Sequence, residues 1–387
     1  MTMRRTRWLT MTAALAITLA ACGQDTPDDS ARDAGGASVT EAEPVSEPLV
    51  DPDDIISGGP PPDGIPPIDD PKFLSPVDAA FLADGEPVLA VQIDGDAKAY
   101  PLQIMTWHEI VNDEIAGVPV AVTYCPLCNT GIAFERPTID GALLDFGTSG
   151  KLYNANLVMY DRQSGTYWAQ ATGQALVGPY SGEQLEFVPA RILSFGDWRE
   201  EHPDGLVLSR DTGHERPYGE NPYVGLDTSE RPFLFAGDLD ERLPATSRVL
   251  GIARADDIVA FPYEAVAADA VDGWAVVTEQ VAGDPVVVFW KAGTYSALDT
   301  ERIVSGRDVG AIAAYRPEAD GRPLTFEVGR AGIVDRETGS VWSILGRAVS
   351  GPLEGEQLVP ELAIDSFWFD WAAFHPETRI WERTHRA

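Results

Sequence analysis

The chain has 387 residues, 44% of them hydrophobic, and its 61 acidic side chains outnumber 28 basic ones to give a formal net charge of −33. This length allows a sizeable core and two or three domains. The charge argues against a nucleic-acid partner, because that partner would require a clustered basic surface. It favours cations as ligands.

Residues 1–21 are predicted to be a lipoprotein signal peptide. Arginines at positions 4, 5 and 7 precede an apolar run from Trp8 to Ala21, which is short for a membrane span. Leu19-Ala20-Ala21-Cys22 matches the lipobox of bacterial lipoproteins, in which the cysteine is acylated after cleavage. We therefore expect Cys22 to anchor the protein to a membrane on the extracytoplasmic side, in the cell envelope or at the cell surface. The alternative is an ordinary secretory signal with a chance cysteine.

Residues 22–71 are predicted to be a disordered tether. The stretch from Gly23 to Pro71 carries thirteen acidic residues against one basic residue, Arg32, and is rich in proline. Such a composition buries too little apolar surface to offset the entropy of ordering. We expect the segment to extend and to hold the folded part away from the membrane.

The folded region is predicted to consist mostly of short strands. Val88 to Ile93 alternates in hydrophobicity and leads through Asp94-Gly95-Asp96 into a second strand, as in a hairpin. Pro101 to Asn112 is predicted to be one short helix, and Val118 to Tyr124 a buried strand. A further hairpin is predicted around Gly165, where a positive φ is needed. These elements indicate a β-rich α+β fold.

Two parts of the chain share an ordered series of motifs, which indicates a divergent internal duplication. We place the first repeat at 72–240 and the second, degenerate repeat at 241–387. The matching segments are Tyr160–Trp168 with Val334–Trp342, Gly178-Pro179 with Gly351-Pro352, Gly182–Leu185 with Gly355–Leu358, Trp198 with Trp371, and His202-Pro203 with His375-Pro376. The fold is therefore predicted to be two tandem copies of one mostly antiparallel β unit, packed as a pseudo-twofold pair.

The correspondence continues upstream when Pro119 is aligned with Pro285. Cys125 then falls on Lys291 and Cys128 on Thr294, while His108 falls near Asp269. What both copies share is expected to be structural, and what one copy alone carries is a candidate for function. The shared Asp161-Arg162 and Asp335-Arg336 pairs are accordingly interpreted as structural ion pairs, and His202 and His375 as scaffold.

Four motif blocks resemble the bacterial and archaeal family of unknown function DUF3179. They are TWHEIVND (Thr106–Asp113), VTYCPLCNTGIAF (Val122–Phe134), FGTSGKLYNANLVMYDRQSGTYWAQ (Phe146–Gln170) and LSRDTG (Leu208–Gly213). The resemblance covers roughly Phe73 to Tyr223 and, in degraded form, the second copy. It implies no established activity. It places in characteristic blocks, without assigning roles, His108, Cys125, Cys128, Tyr153, Asn154, Asp161, Arg162, Trp168 and Asp211-Thr212-Gly213.

The leading hypothesis for function is a soft-metal site in the first repeat. Cys125 and Cys128 form a C-x-x-C pair, and two thiolates at this spacing can hold one ion from a turn. Soft ligands favour Cu(I) or Zn, and His108 is the best candidate for a third ligand because the second copy lacks it. Met105 and Met159 are weaker thioether candidates, since a lone methionine is more often part of the core.

Two other interpretations of the pair remain open. A thiol-disulfide oxidoreductase would use Cys125 and Cys128, but the residues that follow predict a turn and a strand in place of the helix of thioredoxin-type sites. A non-catalytic extracytoplasmic interaction module would keep the pair as a structural disulfide, which an exported protein can form. Such a short loop contributes little stabilisation.

Tyr153-Asn154 and Asp211-Thr212 occur in the first repeat only. They are candidates for lining a pocket beside the cysteines that binds a small molecule, or they are turn residues for local reasons, which we prefer. No Ser-His-Asp order, phosphate loop or dinucleotide fingerprint stands out. Protein partners and substrate are not predicted.

Overall fold

Antiparallel strands make up most of the protein in this computed structural model, which describes residues 46–383. The elements of the first part are, in chain order, β1 Ile56–Ser57, β2 Phe73–Leu74, β3 Pro87–Ile93, β4 Asp96–Pro101, α1 Leu102–His108, β5 Ile110–Ile115, β6 Val118–Cys125, β7 Thr130–Glu135, β8 Thr138–Ile139, β9 Ala142–Leu143, β10 Phe146–Tyr153, β11 Asn156–Asp161, β12 Tyr167–Ala169, β13 Ala175–Val177, β14 Phe187–Val188, β15 Ala190–Ser194, α2 Phe195–Glu201 and β16 Leu206–Leu208. The β-rich fold with mostly antiparallel strands is as predicted.

The second part repeats this order with fewer elements. They are β17 Arg248–Arg254, β18 Asp257–Pro262, α3 Tyr263–Ala267, β19 Trp274–Val281, β20 Asp284–Lys291, β21 Ala311–Tyr315, β22 Glu318–Ala319, β23 Arg322–Pro323, β24 Phe326–Gly329, β25 Gly332–Asp335, β26 Val341–Trp342, β27 Ala348–Ser350, β28 Ile364–Phe367, α4 Trp368–Phe374 and β29 Arg379–Ile380. Short 3-10 turns lie at Pro52–Asp54, Leu226–Thr228 and Ile303–Ser305.

The turn residues explain several of these hairpins. Asp94 and Gly95 join β3 to β4 with φ values of 49° and 95°, and positive φ at both central residues suits the right-handed twist of a hairpin. Gly165 has a φ of 75° between β11 and β12. Both hairpins were predicted from these residues.

The predicted helix from Pro101 to Asn112 is too long. Helix α1 ends at His108, Glu109 has φ 60° and ψ −32°, and β5 starts at Ile110. The β-branched pair Ile110-Val111 favours a strand, and β5 pairs along its whole length with β6. Tertiary pairing therefore cuts the helix short by four residues.

The three main sheets of the first part recur in the second. The sheet order β15-β3-β4-β16-β2 has its counterpart in β28-β17-β18-β29, and β14-β7-β6-β5 in β21-β20-β19. The sheet β1-β10-β11-β12-β13 has its counterpart in β24-β25-β26-β27, and a two-stranded hairpin precedes each of these last two sheets. Pseudo-twofold packing of two repeats stays a prediction.

The middle strands of the second pair of sheets match residue by residue. Val118 of β6 pairs with Ile115, and Asp284 of β20 pairs with Val281, in both cases across a two-residue turn. Each strand has eight residues, with proline in second place, and they end on Cys125 and Lys291. The two end residues therefore occupy the same position in their sheets.

The predicted tether is wrong from Ser46 onward, because residues 46–71 are folded against the first part. β1 pairs with β10, and Ile68 is 1% exposed and bridges to Val111. Arg162 binds Asp63 and Asp69, the latter at 2.9 Å. Ile55 and Ile68 are buried and attach the acidic segment to the core, although the overall composition of the segment predicts disorder. The signal peptide, Cys22 and the tether up to residue 45 lie outside the described residues.

The predicted Asp161-Arg162 ion pair is also wrong, as is its counterpart at Asp335-Arg336. Asp161 is fully buried and accepts hydrogen bonds from the Ser164 amide and, at 2.9 Å, from Trp168 Nε1. Asp335 makes the same contacts with Thr338 and Trp342. The aspartate closes the turn and anchors the tryptophan, while the neighbouring arginine points to other acids.

Residues 46–383 belong to one compact unit, in which the two predicted repeats share a core. Strand β28 packs against β7, and β15 packs against β21, so each part covers a sheet of the other. Helix α4 directly follows β28, and helix α2 directly follows β15, so each helix starts beside the other part's sheet. Within residues 46–383, no helix has the length and apolar character needed to cross a membrane.

Candidate functional site: a buried two-cysteine hairpin

The C-x-x-C pair forms the turn of the β6–β7 hairpin. Cys125 ends β6, the Cys128 amide donates to the Cys125 carbonyl at 3.2 Å, and Asn129 turns the chain into β7 with a φ of 53°. Both cysteines are free thiols, 1% and 0% exposed. The pair is thus held close together in a rigid turn within the core.

A carboxyl group from the far end of the chain reaches this turn. Asp370, the third residue of α4, lies beside the Cys128 thiol, which also contacts Cys125. The Phe367 amide, directly before α4, donates to the Cys128 carbonyl at 2.8 Å. Residues that are more than two hundred positions apart in sequence therefore build one site.

Polar side chains hold Asp370 in place. Asn156 Nδ2 donates to one carboxyl oxygen at 3.0 Å, while Thr130 and Ser366 hydroxyls donate to the other at 3.1 and 2.7 Å. Burial raises the pKa of Asp370 above its ordinary value, although these hydrogen bonds oppose the rise. Burial, the neighbouring Cys125 and Asp370 also raise the pKa of the Cys128 thiol. Asp370 and the Cys128 thiol therefore hold their protons more strongly than they would in water.

A second buried carboxyl group lies on the Cys125 side. Glu109 is 7% exposed, and burial raises its pKa to about 8. Its charge and that of Cys125 both act on Tyr223, raising the pKa of that phenol further above the level that burial sets. Glu109 belongs to the TWHEIVND block, and its carbonyl accepts from the Tyr124 amide at 2.8 Å.

The matching position in the second part carries its own cation. The Lys291 ammonium forms an ion pair with Asp197 and lies 5.0 Å from the centre of the Trp274 ring. Asp197 is the third residue of α2, as Asp370 is of α4, and a tryptophan follows each of them. Each helix thus carries an aspartate to the end of a middle strand or to the turn after it. Asp197 meets the Lys291 ammonium group, and Asp370 lies beside the Cys128 thiol.

His108 is engaged elsewhere. Its Nδ1 lies 2.6 Å from the Pro66 carbonyl and its Nε2 lies 2.6 Å from the Tyr218 hydroxyl, so both ring nitrogens have partners. Burial lowers the pKa of the imidazole to about 4. Within residues 46–383, no group of three or more His, Cys, Asp or Glu side chains is arranged to hold a metal ion. The expected Cys125, Cys128 and His108 set is therefore not brought together.

The methionine candidates are core residues. Met105 in α1 and Met159 in β11 are both fully buried, in the same apolar cluster as the cysteines. Their roles as thioether ligands stay predictions.

The pocket candidates separate into two places. Tyr153 and Asn154 belong to the β10–β11 turn, where Asn154 and Ala155 have φ values of 53° and 63°, and the Ala155 carbonyl accepts from the Cys128 thiol at 3.3 Å. Asp211 is 67% exposed and pairs with Lys72 at the surface. Thr212 Oγ1 lies 2.6 Å from the Tyr218 hydroxyl, on the side of His108.

Sequence reasoning missed the carboxyl groups of the site. Asp370 directly precedes Trp371, one of the residues that the two parts share and that are therefore expected to be structural, so the comparison of the parts did not single it out. Glu109 is adjacent to His108 and has no acidic counterpart at the C-cap of α3, which is Ala268. The absence of Glu109 from the second part was the signal that could have identified it.

The fold and the site define a β-rich protein whose two similar parts enclose a buried two-cysteine turn. The chain belongs to the family DUF3179, described as a protein of unknown function, whose profile matches residues 62–378. The match extends the resemblance over most of the second part and into the folded segment that was predicted to be a tether. Searches of the curated proteins and of the solved structures find no match.

Proposed function

We propose that the protein binds one soft monovalent cation, Cu(I), between Cys125 and Cys128. The observation that carries this proposal is the contrast between the matching strand ends. Lys291 supplies an ammonium group to Asp197, whereas the matching turn of the first part presents two thiols, of which Cys128 lies beside Asp370. A cation between the sulfurs would stand where the second part has its ammonium group, and soft thiolates select Cu(I).

The number of ligands separates copper from zinc. Structural Zn²⁺ sites use four ligands in a tetrahedron, and catalytic sites use three protein ligands. The described residues offer two thiols, and no group of three or more His, Cys, Asp or Glu side chains among them is arranged to hold a metal ion. Two thiolates suit Cu(I), which accepts low coordination numbers, better than they suit zinc.

The redox alternative has less support. Thioredoxin-type cysteines gain nucleophilicity at a helix N-terminus, which lowers the thiol pKa. Here the pair lies in a hairpin turn, and burial raises the pKa of Cys128. Both thiols are also buried beyond the reach of a partner protein's disulfide.

Copper binding is testable with the metal-free chain from residue 23 onward, which retains the compact unit and lacks Cys22. Anaerobic titration with Cu(I) against a chromophoric competitor should show one ion per chain. Cys125→Ser and Cys128→Ser should each abolish binding, and Ser366→Ala should retain it because it removes a hydroxyl of the same cluster and no sulfur. Equal copper uptake by the wild type and both cysteine variants would sink the proposal.

Binding should also release protons, because burial raises the pKa of the Cys128 thiol and a metal ligand must be a thiolate. The affinity for Cu(I) should therefore rise with pH between 6 and 8, at roughly a tenfold increase per pH unit for each proton released. A pH-independent affinity would contradict a thiolate site.

We propose that this site lies outside the cytoplasm, in a protein anchored by lipid on Cys22. The basic start, the apolar run and the lipobox support this assignment. Membrane fractionation of a bacterium that expresses the full chain tests it. The wild type should sediment with membranes and carry an acylated N-terminal peptide by mass spectrometry. A Cys22→Ser variant that sediments equally well would contradict it.

We further propose that the two parts descend from a duplicated unit in which one copy replaced a lysine by the cysteine pair. The recurring sheet orders and the matching strands β6 and β20 support this. Superposition of residues 86–208 on 247–381 should align all three sheets together. Alignment of single hairpins only would contradict the proposal.

A further inference from the structure

We infer that the protein has a second ligand site, which binds a compact oxyanion, a carboxylate or a phosphate, in a cavity beside α1. The cavity has a volume of about 630 Å³ and is bounded by α1, by the segment before β3, and by the loops around residues 210–220 and 301–304. Two guanidinium groups, those of Arg210 and Arg302, face it. It is separate from the cysteine turn.

A buried hydrogen-bond chain fixes Arg210. The Arg210 guanidinium lies 4.7 Å from the Phe81 ring, and its Nε donates to Gln103 Oε1 at 2.8 Å. Gln103, 1% exposed, donates in turn to Glu86 Oε2 at 2.7 Å. Glu86 is 4% exposed and its other oxygen accepts from the Ala83 amide at 3.0 Å. The guanidinium is thus held at the wall of the cavity before any ligand arrives.

Neither guanidinium has a carboxylate partner. None of the ion pairs within residues 46–383 includes Arg210 or Arg302. Acidic residues outnumber basic ones by 61 to 28 in the chain, so partners are abundant. Two arginines left unpaired at one cavity are therefore available to an oxyanion, for which the guanidinium fork is suited.

Three acids line the cavity, and none of them forms an ion pair with either arginine. Burial raises the pKa of Glu86, although Arg210 and Arg302 both oppose the rise. Glu86 is also fully engaged with Ala83 and Gln103. Glu220 and Glu301 also line the cavity and are exposed to solvent. They limit the site to small anions, since a large or highly charged ligand would meet them.

His108 and its partners complete the wall. The Pro66 carbonyl can only accept a hydrogen bond, so the His108 proton is on Nδ1 and Nε2 accepts from Tyr218. Thr212 then donates to the Tyr218 oxygen at 2.6 Å. Tyr218 lines the cavity, which makes His108 and Thr212 positioning residues. Gln103, His108, Arg210 and Thr212, which lie in or near the family's motif blocks, thereby meet at one place.

The test uses the metal-free chain from residue 23 onward, which retains all of the compact unit that residues 46–383 belong to. Inorganic phosphate and succinate are titrated separately at constant ionic strength, with chloride as the balancing anion, and chemical shifts or heats are recorded. At least one of them should bind saturably, and the one that binds distinguishes a phosphate from a carboxylate site. Saturation by neither would overturn the inference.

The variant Arg302→Gln tests whether the anion binds in this cavity. Arg302 is exposed, so its replacement should leave the fold intact. It should weaken binding roughly tenfold or more, as expected for loss of a charged hydrogen bond. Arg210→Gln should weaken it at least as much. Arg231→Gln removes an exposed arginine away from the cavity and should bind like the wild type. Unchanged binding by Arg302→Gln would refute the assignment.

The anion site can be tested independently of copper binding. Cys125→Ser should leave anion binding intact.

Discussion

Glu109 combines two features that are rarely found together. It has a positive φ of 60°, which costs energy in a residue other than glycine, and a carboxyl group that is almost wholly buried. Burial alone raises its pKa to about 8, with no hydrogen bond or charge from the described residues to offset the effect. A strained backbone and a desolvated acid next to the cysteine turn are typical of a functional position.

The pH dependence of the free energy of unfolding should reveal the raised pKa of Glu109. Its pKa rises from 4.5 to about 8 on folding, so between these values the unfolded state binds fewer protons than the folded state. The free energy of unfolding should therefore decrease as pH rises through this window, by at most about 1.4 kcal/mol per pH unit, and level off above it. Urea unfolding of the metal-free protein at pH 5, 6, 7 and 8 measures the slope.

Glu109→Gln should flatten this slope between pH 5 and 8, because the amide does not titrate. Glu114→Gln, an exposed glutamate on the next strand, should leave the wild-type slope unchanged. Equal slopes for the wild type and Glu109→Gln would show that the carboxyl group is not protonated by burial.

Asp161 and Asp335 allow a matched test of the turn that recurs in both parts. Each carboxylate accepts from a turn amide, a hydroxyl and a tryptophan Nε1. Replacement by asparagine should cost about 1–3 kcal/mol of unfolding free energy at either site, since buried donors lose an acceptor. Arg162→Gln should cost less than about 1 kcal/mol, because its ion pairs are partly exposed. A larger loss from Arg162→Gln than from Asp161→Asn, in thermal or urea unfolding, would restore the ion-pair interpretation.

At the scale of elements, residues 46–71 behave as part of the folded domain. They add β1 to the edge of a sheet and place Ile68 against Val111. The Pro66 carbonyl and Asp69 supply partners to His108 and Arg162. Removal of this segment would leave those polar groups and an apolar surface without cover.

Ile68→Ala should destabilise the protein by about 2–5 kcal/mol, since it leaves a cavity at a position that is 1% exposed. Val77→Ala, at a position that is 85% exposed, should change the unfolding free energy by less than about 0.5 kcal/mol. Chemical denaturation of both variants measures the difference. A negligible effect of Ile68→Ala would mean that the segment is not docked in solution.

At the scale of the whole molecule, each part completes the other. Helix α4 carries Asp370 to the turn of the first part, and α2 carries Asp197 to Lys291 of the second. One hydrophobic cluster includes residues of both parts, among them Cys128, Leu298 and Phe367. The boundary predicted at residue 240 therefore separates the two sets of sequence motifs, but the residues on its two sides share one hydrophobic core.

Residues 46–240 expressed alone should fail to fold cooperatively. The fragment lacks β28 and α4, so β7, Cys128 and Asn156 would be exposed or unpartnered. Circular dichroism and thermal melting should show a broad transition or aggregation, and the fragment should bind no Cu(I). The full chain from residue 46 is the control. A sharp, reversible transition in the fragment would establish an independent domain.

Local sequence determined the elements and the location of the thiols. Alternating apolar residues with Asp-Gly turns specify hairpins by short-range sterics. Alignment of Pro119 with Pro285 in the sequence places Cys125 and Lys291 at equivalent positions. The comparison of two parts of the chain also separated scaffold from candidate ligands. The same comparison did not identify Asp370. Its counterpart Asp197 is also an aspartate, and the two differ only in what they contact, Lys291 in one part and the Cys128 thiol in the other.

The tertiary structure alone decided what surrounds the thiols. Asp370 reaches Cys128 from more than two hundred residues away, and His108 is drawn to Pro66 and Tyr218 and not to sulfur, because hydrogen bonds between distant segments leave no local pattern. The folding of residues 46–71 was likewise decided by a few buried isoleucines against an acidic background. The sequence thus determined where the two thiols lie, and long-range packing determined which side chains surround them.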